Sequence, residues 1–484
     1  MDRGNSNISS HTFNSSYLCR YLYILQNVEN NSNFIQREFH VTLKIPMKRS
    51  LKSLLSKPSL EIDGAAAHKK CQLEPLAFQK DPNNFGCPCV DIWPRRTIDD
   101  PNEVFIKTIL VIGGSGFLGR HIICNLIHSF RNLREIRILD KHAPPKSFKL
   151  SEYDKHAPSL DYRHGDITQY DSIAGAFDNV DAVIHCASII AISSNHSYEE
   201  SYNTNVMGTK NVLEILKVKK IKYFVYTSSA VCSRKFGPMI MEDENSQSFT
   251  EKFNFDKSVF PIYSKTKIEA EQLILAALRT NNNLKAVILR PPGIYGEGDF
   301  VYLSTMIYTA LKNFGALIRI GWGPRPEISR IYAGNCAWAH ICALKKIVSE
   351  TESDVSVSGE VLLIDDDSST CTNEEFVQPY LIENSCYLSR IAIPYFIIFL
   401  CLYLIEVILK LITPVVKIKT SVDNRQLYLH CSTMVYKCDK ARKLINYIPR
   451  FSRDQAKLRS STFYGKLKDN LDYYEKSRLK AKFK

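Results

Sequence analysis

At 484 residues with a formal net charge of +13, the chain has room for one large α/β domain with appendages, or for two to three ordinary domains. Its 45% hydrophobic content is that of a folded protein and excludes a wholly disordered one. The positive charge is dense after residue 456, where Lys457, Arg459, Lys466, Lys468, Lys476, Arg478, Lys480, Lys482 and Lys484 outnumber the acids. That run follows an apolar segment and has no aromatic-interleaved basic platform, so it points to an anionic membrane surface rather than to nucleic acid.

Residues 1–103 show little periodicity, are rich in Asn, Ser and Lys, and read as a largely disordered extension. Arg3, Arg20, Arg37 and Lys44 in an acid-poor stretch give the charge bias of a mitochondrial presequence, but no Arg-studded amphipathic helix sustains it. No basic stretch followed by an apolar run and a small-residue cleavage site marks a secretory leader. The 14 cysteines are scattered, and Cys124, Cys186, Cys232 and Cys336 lie in apolar stretches. That fits reduced, buried thiols in a cytosol-facing protein. Cys87 and Cys89 are the one tight pair, and without a second Cys/His pair at zinc spacing no metal site is expected.

The character changes at residue 104. Thr108 to Ile112 is a continuous apolar run ending in glycines, as expected of a parallel strand buried on both faces. A helix is predicted from Gly119 to about Phe130, then a strand Ile136 to Leu139 closing on Asp140. Further strands are predicted at Ala182 to His185, Tyr223 to Tyr226 and Ala286 to Leu289, with helices at Asn205 to Lys217 and Lys265 to Arg279. Strands and helices alternating at these lengths imply an α/β fold, a doubly wound parallel sheet of the Rossmann kind. The expected organisation is a cofactor-binding domain at 104–290, a smaller substrate-binding lobe at 291–388, a hydrophobic helix at 389–413 and a C-terminal return segment with a basic tail at 414–484. The helix carries close to the ~20 apolar residues of a bilayer span. Glu406 within it would cost ~2.5–3.5 kcal/mol at mid-bilayer, so a membrane-associated helix, spanning or lying in the interface, is expected.

Three sets of residues carry chemistry. Gly113, Gly116 and Gly119 are spaced Gly-x-x-Gly-x-x-Gly between a buried strand and a helix, with Phe117 and Leu118 opening that helix. Such a turn brings the backbone close to a dinucleotide pyrophosphate and aims helix N–H groups at it. Asp140, about twenty residues on, can accept the adenosine ribose hydroxyls and repel a 2′-phosphate, which favours NAD; the adjoining Lys141 could still tolerate a phosphate. Asp166 fits either an adenine-edge contact or a plain turn. Tyr263 and Lys267 fall one helical turn apart. A free tyrosine, with pKa ~10, is a poor base at neutral pH, and a neighbouring ammonium would favour the phenolate. Ser229 ends the segment Tyr226-Thr227-Ser228-Ser229 at the carboxyl edge of the sheet, where its hydroxyl can hold a reacting oxygen or merely cap a turn. The order of these motifs points to a nicotinamide-dependent oxidoreductase.

Residues 106–455 resemble the extended short-chain dehydrogenase/reductases, and within them the 3β-hydroxysteroid dehydrogenase/Δ5-Δ4 isomerase family. The likeness runs through Gly114-Ser115-Gly116-Phe117-Leu118-Gly119, Ile136 to Lys141, Val183-Ile184-His185-Cys186-Ala187, Asn205-Val206-Met207-Gly208-Thr209 and Tyr226 to Ser229. It continues through Tyr263 to Lys267, Leu289 to Gly298 and Gly334-Asn335-Cys336-Ala337-Trp338-Ala339-His340. The resemblance implies Ser229, Tyr263 and Lys267 as a catalytic triad, with Lys267 also on the nicotinamide ribose and Asn205 supporting a water chain. It implies NAD as cofactor, a steroid or sterol as substrate, membrane lipid as a partner, and room for a homodimer. The hydrophobic helix with its internal glutamate is similar to the family's membrane anchor. The departures are the hundred-residue extension and a Gly-Gly where Thr-Gly is common; no recognisable motif supplies a proton shuttle for isomerisation. The expected reaction is oxidation of a 3β-hydroxyl. The rivals are a sterol 4α-carboxylate 3-dehydrogenase that decarboxylates and a non-catalytic NAD-binding scaffold. Lys480-Ala481-Lys482-Phe483-Lys484 resembles a dilysine retrieval signal, which suggests the endoplasmic reticulum membrane with the catalytic domain facing the cytosol; the mitochondrial membrane is the alternative.

Overall fold

The computed structural model describes residues 105–476 apart from 128, 131, 144–157, 193–196, 234–238, 244–257, 322–324, 352–353, 413–423 and 473. The extension, the Cys87/Cys89 pair and the terminal lysines lie outside the described residues. β1 (Thr108–Ile112) runs into a glycine turn and α1 (Phe117–Ile127). β2 (Glu135–Asp140), β3 (Ser159–His164) and β4 (Ala182–His185) follow. A π-helical segment, Asn203–Met207, leads into α2 (Gly208–Val218), then β5 (Tyr223–Thr227) and β6 (Met239–Glu242). Next come α3 (Pro261–Thr280), β7 (Lys285–Arg290) and β8 (Gly293–Tyr295).

Seven strands form one parallel sheet in the order β3-β2-β1-β4-β5-β7-β11, where β11 is Val361–Leu363. The expected doubly wound sheet is therefore present, and the strand order reverses between β1 and β4. Apolar runs buried on both faces explain its inner strands. Ile109 and Val111 of β1 pack with Ile122 and Ile123 of α1 in one cluster; Leu110 and Ile112 pack with Val212, Ile215 and Leu216 of α2 and Ile274 of α3 in another. Alternate residues of one strand thus feed two cores, as the period of two demands. β3 and β11 are strands that no long apolar run in the sequence marks. Ser159–His164 carries polar residues at an edge, and β11 is only three residues long. The second of these strands is drawn into the sheet from beyond residue 290.

The remaining chain builds a smaller lobe: α4 (Leu303–Lys312), β9 (Ala316–Ile320), β10 (Arg330–Tyr332), α5 (Ala333–Ser349, which packs back on the sheet), α6 (Asn373–Glu383) and β12 (Tyr387–Ile393). Its core joins Tyr295, Leu303, Ile307, Tyr380 and Leu381 to Phe463 and Tyr464. The last two belong to α9, defined below, so the C-terminal segment is part of the lobe.

The segment expected as one hydrophobic helix over 389–413 divides in two. Ile391 and Ile393 lie in β12, paired with β9, and the helix α7 spans Tyr395–Ile412 after Pro394. The paired strand before the proline and the proline itself, which bars a helical turn behind it, explain the break. Among the described residues no helix is long and apolar enough to cross a membrane. Instead α7 buries Ile398 and Leu402 against Leu427 of α8 (Asn424–Cys431), while Phe396, Leu400, Tyr403, Leu404 and Val407 stand exposed. Those five fall on one side of the helix, by their spacing of four, three, one and three residues. β13 (Met434–Tyr436) pairs with β6, and α9 (Arg453–Tyr464) opens with a capping box between Ser452 and Gln455. Cys186, Cys232 and Cys336 are free thiols, but Cys124, expected to be one, is disulfide-bonded.

Candidate active site

The glycine turn sits where the strand order reverses, the place at which open α/β sheets bind ligands. Gly113 has φ +85°, and a Cβ there would lie 2.6 Å from the Ala187 backbone nitrogen at the end of β4. Gly119 is tighter still, since a Cβ would come within 2.2 Å of the Gly113 carbonyl oxygen. The loop thus folds flat between β1 and α1 only because these side chains are missing, and Phe117 and Leu118 begin the helix whose N-terminus faces out of the turn. Gly116 closes it by donating its N–H to the Gly113 carbonyl at 3.0 Å.

Asp140, the last residue of β2, accepts the Ser115 N–H at 3.1 Å on one oxygen and the His142 N–H at 2.9 Å on the other. Each carboxylate oxygen keeps a lone pair for a ligand hydroxyl, so the carboxylate ties the phosphate loop to the strand end and remains able to accept from a ribose. Asp166 follows β3, and its side chain accepts the Thr168 N–H at 2.9 Å, the geometry of a turn aspartate. A cradle without Cβ atoms, a helix N-terminus and a carboxylate at the end of β2 fit a dinucleotide.

Tyr263 and Lys267 lie in the first turns of α3, behind Pro261 at its N-terminus. Both are buried, as is Ser229 just past β5. Ser229 stands near the Tyr263 phenol and favours its ionised form, and its hydroxyl accepts the Val231 N–H at 3.3 Å. Lys267 turns toward β5, donating to the Thr227 carbonyl at 2.8 Å and to the Tyr226 hydroxyl at 3.4 Å. The structure therefore assembles the serine, tyrosine and lysine at the carboxyl edge of β5. Burial raises the Tyr263 phenol above its ordinary value while the neighbouring Ser229 pulls it down. Burial also lowers the Lys267 ammonium to about 8, against the opposing pull of Cys232, Glu271 and Cys186. The expected depression of the phenol by Lys267 does not appear: burial dominates, and the ammonium faces the strand.

Asn205 lies within the π-helical segment, where π-bulges often mark functional sites. Its side chain bonds both backbone groups of Ile189 (2.8 and 3.0 Å) and the Thr266 hydroxyl at 3.1 Å. It thereby fixes the loop after β4 against α3. Around the phenol, Ile189, Ala191, Val259, Phe260 and Tyr428 form an apolar cluster. Tyr428 comes from α8, whose Leu427 packs on α7, so one short helix touches both the exposed apolar helix and the Tyr263 cluster.

A buried ion pair outside the three motifs also holds this site. Glu271, one helical turn beyond Lys267, takes both Nε and Nη2 of Arg290 at 2.9 and 2.6 Å, with both side chains buried. This bidentate bridge clamps α3 to the end of β7. The signal was the continuation of the Tyr263/Lys267 spacing by four more residues.

A parallel sheet reversing at a glycine turn, with serine, tyrosine and lysine gathered at its carboxyl edge, defines an extended short-chain dehydrogenase/reductase. Residues 110–392 match the family model described as the 3-beta hydroxysteroid dehydrogenase/isomerase family, and the chain belongs to that family of oxidoreductases. It is 30% identical over 369 residues to mouse 3 beta-hydroxysteroid dehydrogenase type 7, covering 75% of this chain and 96% of the relative. With the 3 beta-hydroxysteroid dehydrogenase/Delta 5-->4-isomerase of vaccinia virus (strain Copenhagen) it shares 32% identity over 243 residues, 49% of this chain and 66% of that protein. Among solved structures, an epimerase from Methanothermobacter thermautotrophicus is similar in fold, with a TM-score of 0.54 at 19% identity over 77% of this chain and 95% of the other. A dTDP-glucose 4,6-dehydratase from Bacillus anthracis, solved in complex with NAD, gives 0.51 at 17% identity over 75% and 98%.

Proposed function

We propose that this chain oxidises the 3β-hydroxyl of a steroid or sterol to the 3-ketone, with NAD as cofactor, at a membrane surface. The observation that carries this reading is the Tyr263 phenol, set near Ser229 and clustered with Ile189, Ala191, Val259, Phe260 and Tyr428. An acid–base group in apolar surroundings suits the secondary alcohol of a lipid-soluble ring system. Gly113, Gly116 and Gly119 would seat the pyrophosphate, Asp140 the adenosine ribose, and Lys267 the nicotinamide ribose. When bound, NAD supplies the hydride acceptor. Ser229 and Tyr263 hold the substrate oxygen between them, and Tyr263 as phenolate takes the hydroxyl proton. Lys267, its ammonium turned to the Thr227 carbonyl and the Tyr226 hydroxyl, serves the ribose rather than the phenol. The apolar cluster excludes water from the reacting oxygen.

The test is to incubate the full chain and NAD with a 3β-hydroxy-Δ5-steroid and, separately, with a 4-carboxysterol, following NADH and enone absorbance. NADH with the steroid supports the reading, and a concurrent enone signal adds the Δ5-Δ4 isomerisation. NADH with the carboxysterol alone moves the assignment to a decarboxylating dehydrogenase. NAD binding with no NADH from any 3β-hydroxysterol would leave a scaffold.

Asp140→Ala is expected to weaken NAD binding by about 1.5–3 kcal/mol, the worth of a hydrogen bond to a charged group, and to narrow the preference over NADP. Dissociation constants for both dinucleotides check this. NADP affinity falling in step with NAD would remove the ribose role from Asp140.

The membrane part of the proposal rests on the exposed face of α7. Phe396, Leu400, Tyr403, Leu404 and Val407 form the kind of apolar stripe that lies in a headgroup boundary rather than crossing it. We assign this association to the endoplasmic reticulum, with the catalytic domain toward the cytosol. Leu400→Glu with Leu404→Glu should release the protein from phosphatidylcholine/phosphatidylserine vesicles in a flotation assay while leaving NAD binding intact. Undiminished flotation would transfer membrane contact to another surface.

A further inference from the structure

Lysine is a long, flexible side chain with three donors, and nothing in the Tyr-x-x-x-Lys spacing says where its ammonium points. In this fold the direction is set from outside α3. The Lys267 ammonium gives one N–H to the Thr227 carbonyl and another to the Tyr226 hydroxyl, and it lies 4.9 Å from the centre of the Tyr226 ring. Tyr226 is 1% exposed near the end of β5, and the Thr209 side chain of α2 stands near its hydroxyl and opposes the rise that burial imposes. Thr209 donates its own proton to the Asn205 carbonyl at 2.7 Å. The Tyr226 hydroxyl accepts from Lys267 on a lone pair and keeps its own proton. The His185 Nε2 lies 3.2 Å from the same threonine oxygen. Burial, with Lys267 adding to it, lowers His185 to about 3, so the ring is neutral and donates to Thr209 through Nε2–H. Its buried Nδ1 has no hydrogen-bond partner among the described residues.

We propose that Tyr226, buried beside Thr209, is a positioning residue that aims the Lys267 ammonium and leaves it a single N–H for a ribose hydroxyl of the dinucleotide. The proposal rests on the oxidoreductase reading of Tyr263 and Lys267. The other groups around the ammonium do not supply this direction. Glu271, on the same helix, is taken up by Arg290. The Cys186 thiol donates to the Ile112 carbonyl, and Cys232 bonds the Ser229 carbonyl. Tyr263 faces Ser229.

Tyr226→Phe keeps the ring beneath the ammonium and removes only the acceptor. The charged form of Lys267 then loses a hydrogen bond, so its pKa falls further below about 8. NADH binding, measured by fluorescence titration of the full chain across about two pH units on either side of the Lys267 value of about 8, is expected to weaken about two- to tenfold, the worth of one hydrogen bond. The pH above which binding is lost should move down by roughly half a unit to one unit on the same scale. Thr209→Val should shift the limb in the same direction, and Thr209→Ser, which restores the hydroxyl, should return it to wild type. A Tyr226→Phe protein whose NADH affinity and alkaline limb superimpose on the wild type would overturn the proposal. If that variant does not fold, the Thr209→Val and Thr209→Ser pair decides it on the same readouts. Because NADH binding uses no steroid, failure to oxidise 3β-hydroxysteroids would sink the substrate reading and leave this result standing.

Discussion

Tyr263→Phe is expected to lower kcat for alcohol oxidation by about 10²–10⁴-fold, the usual contribution of a positioned acid–base group, with the NADH dissociation constant nearly unchanged. The ring and its packing against Val259 and Phe260 remain, and only the proton acceptor goes. Retention of wild-type turnover would remove Tyr263 from the chemistry. The same site predicts a pH profile. Burial raises the phenol, so the phenolate is scarce at neutral pH and oxidation should speed up as pH rises. The rise should level or reverse around pH 8, where half of the Lys267 ammonium has lost its proton. Initial rates of NADH formation from pH 6 upward, about two units below that value on the usual titration width, test both limbs. A profile flat across this range would mean that neither group governs turnover.

Glu271→Ala should cost about 3–5 kcal/mol of stability, because it strands the Arg290 guanidinium in a buried site without its bidentate partner. Activity should fall as well, since the clamp fixes the helix carrying Tyr263 and Lys267 to β7. Replacing both partners by apolar residues, Glu271→Leu with Arg290→Met, is expected to recover most of the stability. It should recover less of the activity, because the carboxylate that opposes the lowering of Lys267 is gone from the double variant. Urea unfolding of the three proteins, with turnover measured in parallel, separates the two effects. A single variant as stable as the wild type would show that the bridge contributes only specificity.

The two strands that escaped pattern reading show where local sequence stops being informative. Ser159–His164 is an edge strand whose exposed and half-buried positions need no apolar run, and β11 is fixed by pairing with β7 rather than by its own three residues. The hydrophobic stretch beyond Tyr387 was legible as apolar but not as two elements. Pairing of β12 with β9 claims its first part, and α8 covers one side of the rest. Tyr428 was invisible as a site residue, because only the return of the chain after α7 carries it to Tyr263.

By itself the sequence determined the parallel sheet, the glycine turn, Asp140 and the Tyr263/Lys267 pair, since each depends on local chemistry: apolar runs, missing Cβ atoms, a residue spacing of one helical turn. The tertiary structure decided what those residues experience. Burial, which no spacing encodes, raises the Tyr263 phenol and lowers the Lys267 ammonium. The partners that set direction come from other segments: Ser229 and Tyr226 at the end of β5, Thr209 from α2, Arg290 from β7. Orientation and acidity depend on neighbours distant in the chain, so they exist only once the sheet has brought its strand ends together.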